Sequence, residues 1–246
     1  LNSKDTIYKL KNVFMNNKID LYADGLKLDE FNHDYGIKIN GYTFNPSLFK
    51  KNGATDYLEY SKNILSKSNN KPVSLEVFAD EETEMIKQAK ILSSLSKNVY
   101  VKIPITFTNK QFTTKVLKDL VGENIKLNIT AIFTIEQINE ILPPIKETDS
   151  ILSVFAGRIF DCGINAVDIM KTINTKVHNN SNCRTLWASP RMSFDYINAI
   201  ETKTDIITMQ IAQIKKIQMF KKDLKEYSLE TVKTFYEDAK SSGFKI

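Results

Sequence analysis

Lys102 lies within Asn98-Val99-Tyr100-Val101-Lys102-Ile103-Pro104-Ile105, a run of β-branched and aromatic residues with one amine near its end. Such a run reads as a buried strand. An amine carried on it is a candidate Schiff-base nucleophile, because desolvation penalises the ammonium and only the neutral amine attacks a carbonyl. The plain alternative is a lysine that reaches water along its own stem. What raises Lys102 above that alternative is its company. Polar or ionisable side chains fall at the ends of seven β-rich segments in succession: Asp24, Thr43 with Asn45, Glu76, Lys102, Asn128 with Thr130, Ser153 with Arg158, and Ser189 with Arg191. Each has an ordinary structural use: Asp24 as a helix cap, Asn45-Pro46 as a turn, Glu76 as a solvated charge, the arginines as surface residues. Taken together they form a set with an amine nucleophile, two carboxylates that divide acid and base work, and two guanidinium groups whose planar fork matches a phosphate.

Those residues need a scaffold that brings successive strand ends together. Short β-rich segments recur at about 19–23, 37–43, 73–78, 98–103, 125–129, 150–154, 184–188 and 205–208, with amphipathic helical patterns at 56–65, 81–95, 109–121, 134–142, 166–177 and 193–200. The repeat is about 26 residues long, which is βα periodicity. Eight strands at that period predict an α/β fold, a closed parallel (β/α)8 TIM barrel, over an open doubly wound sheet. Neither G-x-G-x-x-G nor a phosphate-cradling P-loop stands where a nucleotide-binding sheet requires it. The whole chain, 1–246, reads as one barrel domain. Ile7, Leu10 and Phe14 mark a helical extension over about 1–18, and a further helix is expected within about 226–246. In such a barrel the site is built at the carboxyl ends of the strands.

Composition narrows the functional classes. A formal charge of +5 suits an anionic small molecule. The lysines are spread over helical faces with no basic block interleaved with aromatics, so no nucleic-acid partner is expected. Cys162 and Cys183 form no metal spacing and no disulfide framework, which points to a reducing cytoplasm, and His33 and His178 stand alone. A thiolate or imidazole metal cage is therefore not expected, while a carboxylate site stays open. No stretch is long and apolar enough for a bilayer, so no membrane partner is expected.

The segments Tyr22-Ala23-Asp24-Gly25, Thr43-Phe44-Asn45-Pro46-Ser47, Glu76-Val77, Val101-Lys102-Ile103-Pro104, Asn128-Ile129-Thr130-Ala131-Ile132-Phe133, Ser153-Val154-Phe155-Ala156-Gly157-Arg158 and Ala188-Ser189-Pro190-Arg191 resemble, in order and one per strand, those of the class I Schiff-base transaldolases and the related fructose-6-phosphate aldolases. The resemblance implies Lys102 as the Schiff-base lysine and Asp24 as the group acting on the C4 hydroxyl proton. Glu76 and Thr130 would manage a water in proton transfer. Asn45 and Asn128 would hold substrate hydroxyls and orient the lysine, and Thr43, Ser153 and Phe155 would complete the substrate pocket. Arg158, Ser189 and Arg191 would bind phosphate. It implies sugar phosphates as partners, a homo-oligomer and no cofactor, with either group transfer or free aldol cleavage as the reaction.

Four positions depart from the pattern. Phe44 replaces a threonine, Gly25 a small hydroxyl residue and Val154 a proline, while Pro190 separates Ser189 from Arg191. These leave the sugar open, including an unusual ketose. In the free aldolases the positions of Glu76 and Phe155 are typically glutamine and tyrosine, so this chain resembles the transferases at both.

Overall fold

A computed structural model describes residues 19–246. The expected helix around Ile7, Leu10 and Phe14 lies outside the described residues. Eight parallel strands, β1 (Asp20–Asp24), β2 (Gly41–Thr43), β3 (Val73–Glu76), β4 (Val99–Pro104), β5 (Leu127–Ile132), β6 (Ile151–Val154), β7 (Arg184–Trp187) and β8 (Ile206–Met209), close in sequence order into a barrel. Helices alternate with them, as a TIM barrel requires.

Side-chain alternation divides the strands between two cores. Leu21 and Ala23, Val73 and Leu75, Val99, Val101 and Ile103, and Leu127 and Ile129 face outward into the layer between sheet and helices. Tyr22, Tyr100, Ile151, Leu186, Ala188 and Ile206 form a separate inner cluster. Asp24 therefore shares the inward parity of Tyr22, Lys102 that of Tyr100, Ser153 that of Ile151, and Thr208 that of Ile206. The inner apolar layer thus forms a floor, and on β1, β4, β6 and β8 the next inward residue is polar, whereas on β7 it is Ala188.

The helices are set by their caps. The Asn45 side chain accepts from Leu48 N at 2.8 Å at the start of Pro46–Lys51, and Asp56 accepts from Glu59 N at 2.7 Å at the start of Tyr57–Lys67. Thr134 and Gln137 make a reciprocal capping box on Ile135–Ile145. That helix runs past the expected end at 142, because burial of Ile141, Leu142 and Ile145 holds the last turn although Pro143 and Pro144 cannot donate.

Three expected boundaries move further. The segment 37–43 is a strand only at Gly41–Thr43, since the Asp34 side chain accepts from Gly36 N and turns a loop that reaches the sheet late. The segment 109–121 is helical only from Thr114; before it, Asn109 accepts from Gln111 N, and Phe107 N donates to the Gln111 carbonyl, folding 107–112 into a turn. The C-terminal helix spans Leu224–Ser242 rather than 226–246 and has no buried residue. Short helices at Pro46–Lys51, Ala156–Asp161 and Ile211–Ile217 were not expected, being too brief to show periodicity. Among the described residues no helix is long and apolar enough to cross a membrane.

Candidate active site

At the carboxyl ends of the strands a cavity of about 220 Å³ is lined by Asp24, Thr43, Asn45, Lys102, Thr130, Ser153, Phe155, Arg158 and Ser189, among others. Sites for drug-sized ligands are larger, so this one suits a small metabolite. Nine of the twelve residues singled out from the sequence thus share one wall.

Lys102 is 7% exposed, its stem enclosed by the strands. The amine itself meets polar partners. Its Nζ lies 2.7 Å from Glu76 Oε2 and donates to the Phe44 carbonyl at 3.2 Å. The contact with Glu76 follows from register, because Glu76 pairs with Lys102 across β3 and β4. Glu76 does not line the cavity directly. Its backbone is clamped by Tyr57, whose hydroxyl donates to the Glu76 carbonyl at 2.8 Å and accepts from Glu76 N at 3.0 Å. Tyr57 was not anticipated, since nothing in its helical pattern marks it.

Asp24 is partly accessible from the cavity but ringed by protein. Desolvation raises its carboxyl above the ordinary 3.8; the hydrogen bond from the Thr43 hydroxyl and the positive charge of Lys102 pull it down, and the Glu76 charge adds to the rise. Thr43 Oγ1 donates to Asp24 Oδ1 at 2.7 Å.

Asn128 is fully buried and does not reach the cavity wall. Its Nδ2 donates to Ser74 Oγ at 3.0 Å, and its Oδ1 accepts from Ser153 Oγ at 2.6 Å, so its amide braces β3, β5 and β6 beneath the lysine. Thr130 behaves differently: its buried Oγ1 has no hydrogen-bond partner and lines the cavity. A buried unpaired hydroxyl is costly unless a bound molecule completes it. Just beyond it the pairing of β5 with β6 shifts register, and Ala131 takes up the extra residue at φ 61°.

The rim is formed by the loops after β6 and β7. Arg158 lies over the Phe155 ring at 5.0 Å and has no carboxylate within 4 Å among the described residues. Ser189 holds φ 59°, an uncommon conformation for a residue with a side chain. It is kept there by close approach: a Cβ added to Gly157 would stand 1.6 Å from the Ser189 carbonyl oxygen, so only glycine fits. Arg191 does not line the cavity. Its Nε donates to both carboxylate oxygens of Asp161 at 2.9 and 3.0 Å, and its backbone N donates to Asp195.

Gly25 explains one departure from the motif pattern. It sits at φ +68°, with a hypothetical Cβ 2.8 Å from Leu48, so a hydroxyl residue would be strained there. Phe44 is fully buried against Phe49, leaving only its carbonyl for the lysine. The sequence reading missed Ser47, Leu48, Thr208 and Gln210, all of which line the cavity. The rule used for seven strand ends, applied once more to β8, finds Thr208 and Gln210.

The sequence from residue 21 to residue 246 matches the family model described as Transaldolase/Fructose-6-phosphate aldolase. The chain belongs to that family. Among relatives in the transaldolase/fructose-6-phosphate aldolase group, a protein of Bartonella henselae named "Probable transaldolase" is 31% identical over 228 residues, which cover 92% of this chain and 98% of that one. Another of the same name from Brucella ovis is 33% identical over 226 residues, covering 91% and 96%. Among solved structures, thiamine phosphate pyrophosphorylase from Pyrococcus furiosus superposes with a TM-score of 0.54 at 10% identity, covering 81% of this chain and 92% of that one. A likeness that distant concerns the barrel alone. Among the described residues no group of three or more His, Cys, Asp or Glu side chains gathers to hold a metal.

Proposed function

We propose that this chain is a transaldolase that moves a dihydroxyacetone unit from a ketose phosphate, fructose 6-phosphate or sedoheptulose 7-phosphate, to an aldose phosphate through a Schiff base on Lys102. The observation that carries this reading is the buried Lys102 amine, 2.7 Å from Glu76, opening on a cavity that also presents Asp24, Thr130 and Arg158.

The chemistry follows from those positions. Glu76 takes a proton from the Lys102 ammonium, and the free amine adds to the C2 carbonyl of the ketose. Glu76, with Thr130 holding the water, returns protons as the carbinolamine loses water and becomes an iminium. Asp24 removes the C4 hydroxyl proton, and the C3–C4 bonding electrons flow into the iminium, leaving an enamine on Lys102 and releasing the shortened aldose phosphate. The enamine adds to the carbonyl of the acceptor aldose phosphate, Asp24 gives the proton to the new hydroxyl, and water releases the new ketose. Asn45, whose Oδ1 caps a helix, keeps its amide nitrogen for a substrate hydroxyl. Ser153 and Ser189 offer hydroxyls to the two ends of the sugar.

Phosphate falls to Arg158 before Arg191, because Arg191 must first give up Asp161. A charge-assisted hydrogen bond contributes roughly 1.5 to 3 kcal/mol, so Arg158→Ala should raise KM for phosphorylated donors by about tenfold to over a hundredfold. Arg191→Ala should cost less. Unphosphorylated fructose should be nearly indifferent to either change, and equal losses for both sugars would assign the phosphate to another group.

Transfer, rather than release of dihydroxyacetone, is supported by Phe155. Hydrolysis of the three-carbon imine needs a placed proton donor for water, and the Phe155 ring has none. A coupled assay should show slow cleavage of the donor alone and much faster cleavage once an acceptor aldose phosphate is added, with Phe155→Tyr raising the acceptor-independent rate. Equal rates with and without acceptor would replace transferase by free aldolase.

The reading extends to assembly. Leu224, Leu229, Val232, Phe235 and Tyr236 are all more than half exposed on the C-terminal helix, more apolar surface than a lone helix leaves to water, which supports a homo-oligomer. Sedimentation of the whole chain should give more than one copy per particle, and of a chain ending before Leu224 a smaller one.

A further inference from the structure

β8 brings a hydroxyl into the acid–base apparatus. Thr208 Oγ1 lies 2.5 Å from Thr43 Oγ1, and Thr43 Oγ1 lies 2.7 Å from Asp24 Oδ1. Both threonines are buried, at 5% and 2% exposure. Around the barrel β8 and β2 are the two neighbours of β1, so the two hydroxyls meet inside the barrel beside the strand end that carries Asp24. Each hydroxyl has a single proton. An ionised Asp24 only accepts, so Thr43 directs its proton there, and the Thr43 oxygen is left to accept from Thr208. The order of donation is therefore Thr208 to Thr43 to Asp24. When Asp24 carries a proton, both hydroxyls can rotate and the order reverses, so the same three groups stay paired in both states.

We propose that Thr208 is a positioning residue for Asp24, acting through the Thr43 hydroxyl to orient the carboxylate and to favour its ionised form. The inference rests on the reading of Asp24 as the acid–base group. Chains of hydrogen bonds strengthen one another, and most when one end is charged, so the carboxylate-directed order gains more from Thr208 than the reversed one. The groups that face Asp24 are few: the Thr43 hydroxyl from β2, the Glu76 carboxylate from β3 and the Lys102 ammonium from β4. Removing the Thr208 hydroxyl leaves the two charges in place and weakens only the hydroxyl route.

The test is a titration of Asp24 in the whole chain carrying 13C-carboxyl aspartate, its signal assigned by its loss in Asp24→Asn, alongside pH profiles of kcat/KM. In Thr208→Val the Asp24 midpoint should move to higher pH. The acidic limb of kcat/KM should follow it, with activity on that limb falling about threefold or more and KM changing less than twofold. Thr208→Ser, which keeps the hydroxyl, should restore both. An unmoved midpoint in Thr208→Val overturns the proposal, as does a Ser variant that behaves like Val, since packing alone would then be at work. If Thr208→Val does not fold, Thr208→Ala carries the same measurement. Turnover surviving in Asp24→Asn would remove the catalytic reading of Asp24, and with it the kinetic half of this proposal, while the titration would still decide whether Thr208 acts on the carboxylate.

Discussion

Borohydride added with a ketose phosphate should place a sugar-derived mass on the peptide containing Lys102, and Lys102→Ala should lower turnover by about a thousandfold or more. Lys102 is the lysine among the residues lining the cavity and, among the described residues, the one held on a strand against a carboxylate. Among the described residues no other lysine has a comparable setting: Lys115 pairs with Glu82 and Lys90 with Glu123, both at exposed helix faces where the amine stays solvated. In the proposed mechanism, loss of the amine would remove the iminium electron sink, and neither Glu76 nor Asp24 would replace it. Mass spectrometry of a proteolytic digest reads the labelled position. A label on another lysine, or substantial turnover in Lys102→Ala, would end the Schiff-base mechanism as written.

Asp24→Asn should abolish most turnover and yet make the protein more stable at neutral pH. General acid–base groups contribute about a hundredfold to ten-thousandfold, which sets the expected loss of kcat. The gain in stability follows from the raised proton affinity of the folded carboxyl, caused first by desolvation. The native chain holds this proton more tightly than the unfolded chain does. Below the ordinary value of 3.8 both states are protonated and Asp24 carries no penalty; as the pH rises through the folded value, the native state must ionise a desolvated group and loses stability. Asparagine avoids that loss and still accepts the Thr43 hydroxyl. Thermal melts should place Asp24→Asn above wild type at pH 7, with the difference closing as the pH falls below about 3.8. A lower Tm for the variant at pH 7 would mean that pairing with Thr43 and Lys102 outweighs burial.

The barrel was legible because its signals are local. Runs such as Val99-Tyr100-Val101 and Leu186-Trp187 are apolar and β-forming, and the Asp56 and Thr134 caps announce helices from a few neighbouring residues. Strand parity then carries Asp24, Glu76, Lys102 and Thr130 to the barrel interior without further information. The short helices Pro46–Lys51 and Ala156–Asp161 escaped because a six-residue element shows barely two turns of pattern. The 109–113 stretch misled because its apolar spacing continues a helix, while an Asx turn at Asn109 won locally.

The residue types alone determined that this chain offers an amine, two carboxylates and two arginines at successive strand ends, because chemistry and strand position are both written along the chain. Only the tertiary structure decided which of them meet. Glu76 faces Lys102 because β3 and β4 pair in that register, and Asn128 turns to Ser74 and Ser153 because the barrel closes tightly around it. Arg191 meets Asp161, thirty positions away, because the helix Ala156–Asp161 packs against the loop after β7, with Gly157 close to Ser189. Thr208 and Thr43 stand 165 positions apart and touch only because the last strand closes against the first. Contacts of that kind depend on register and closure, which no window of sequence contains.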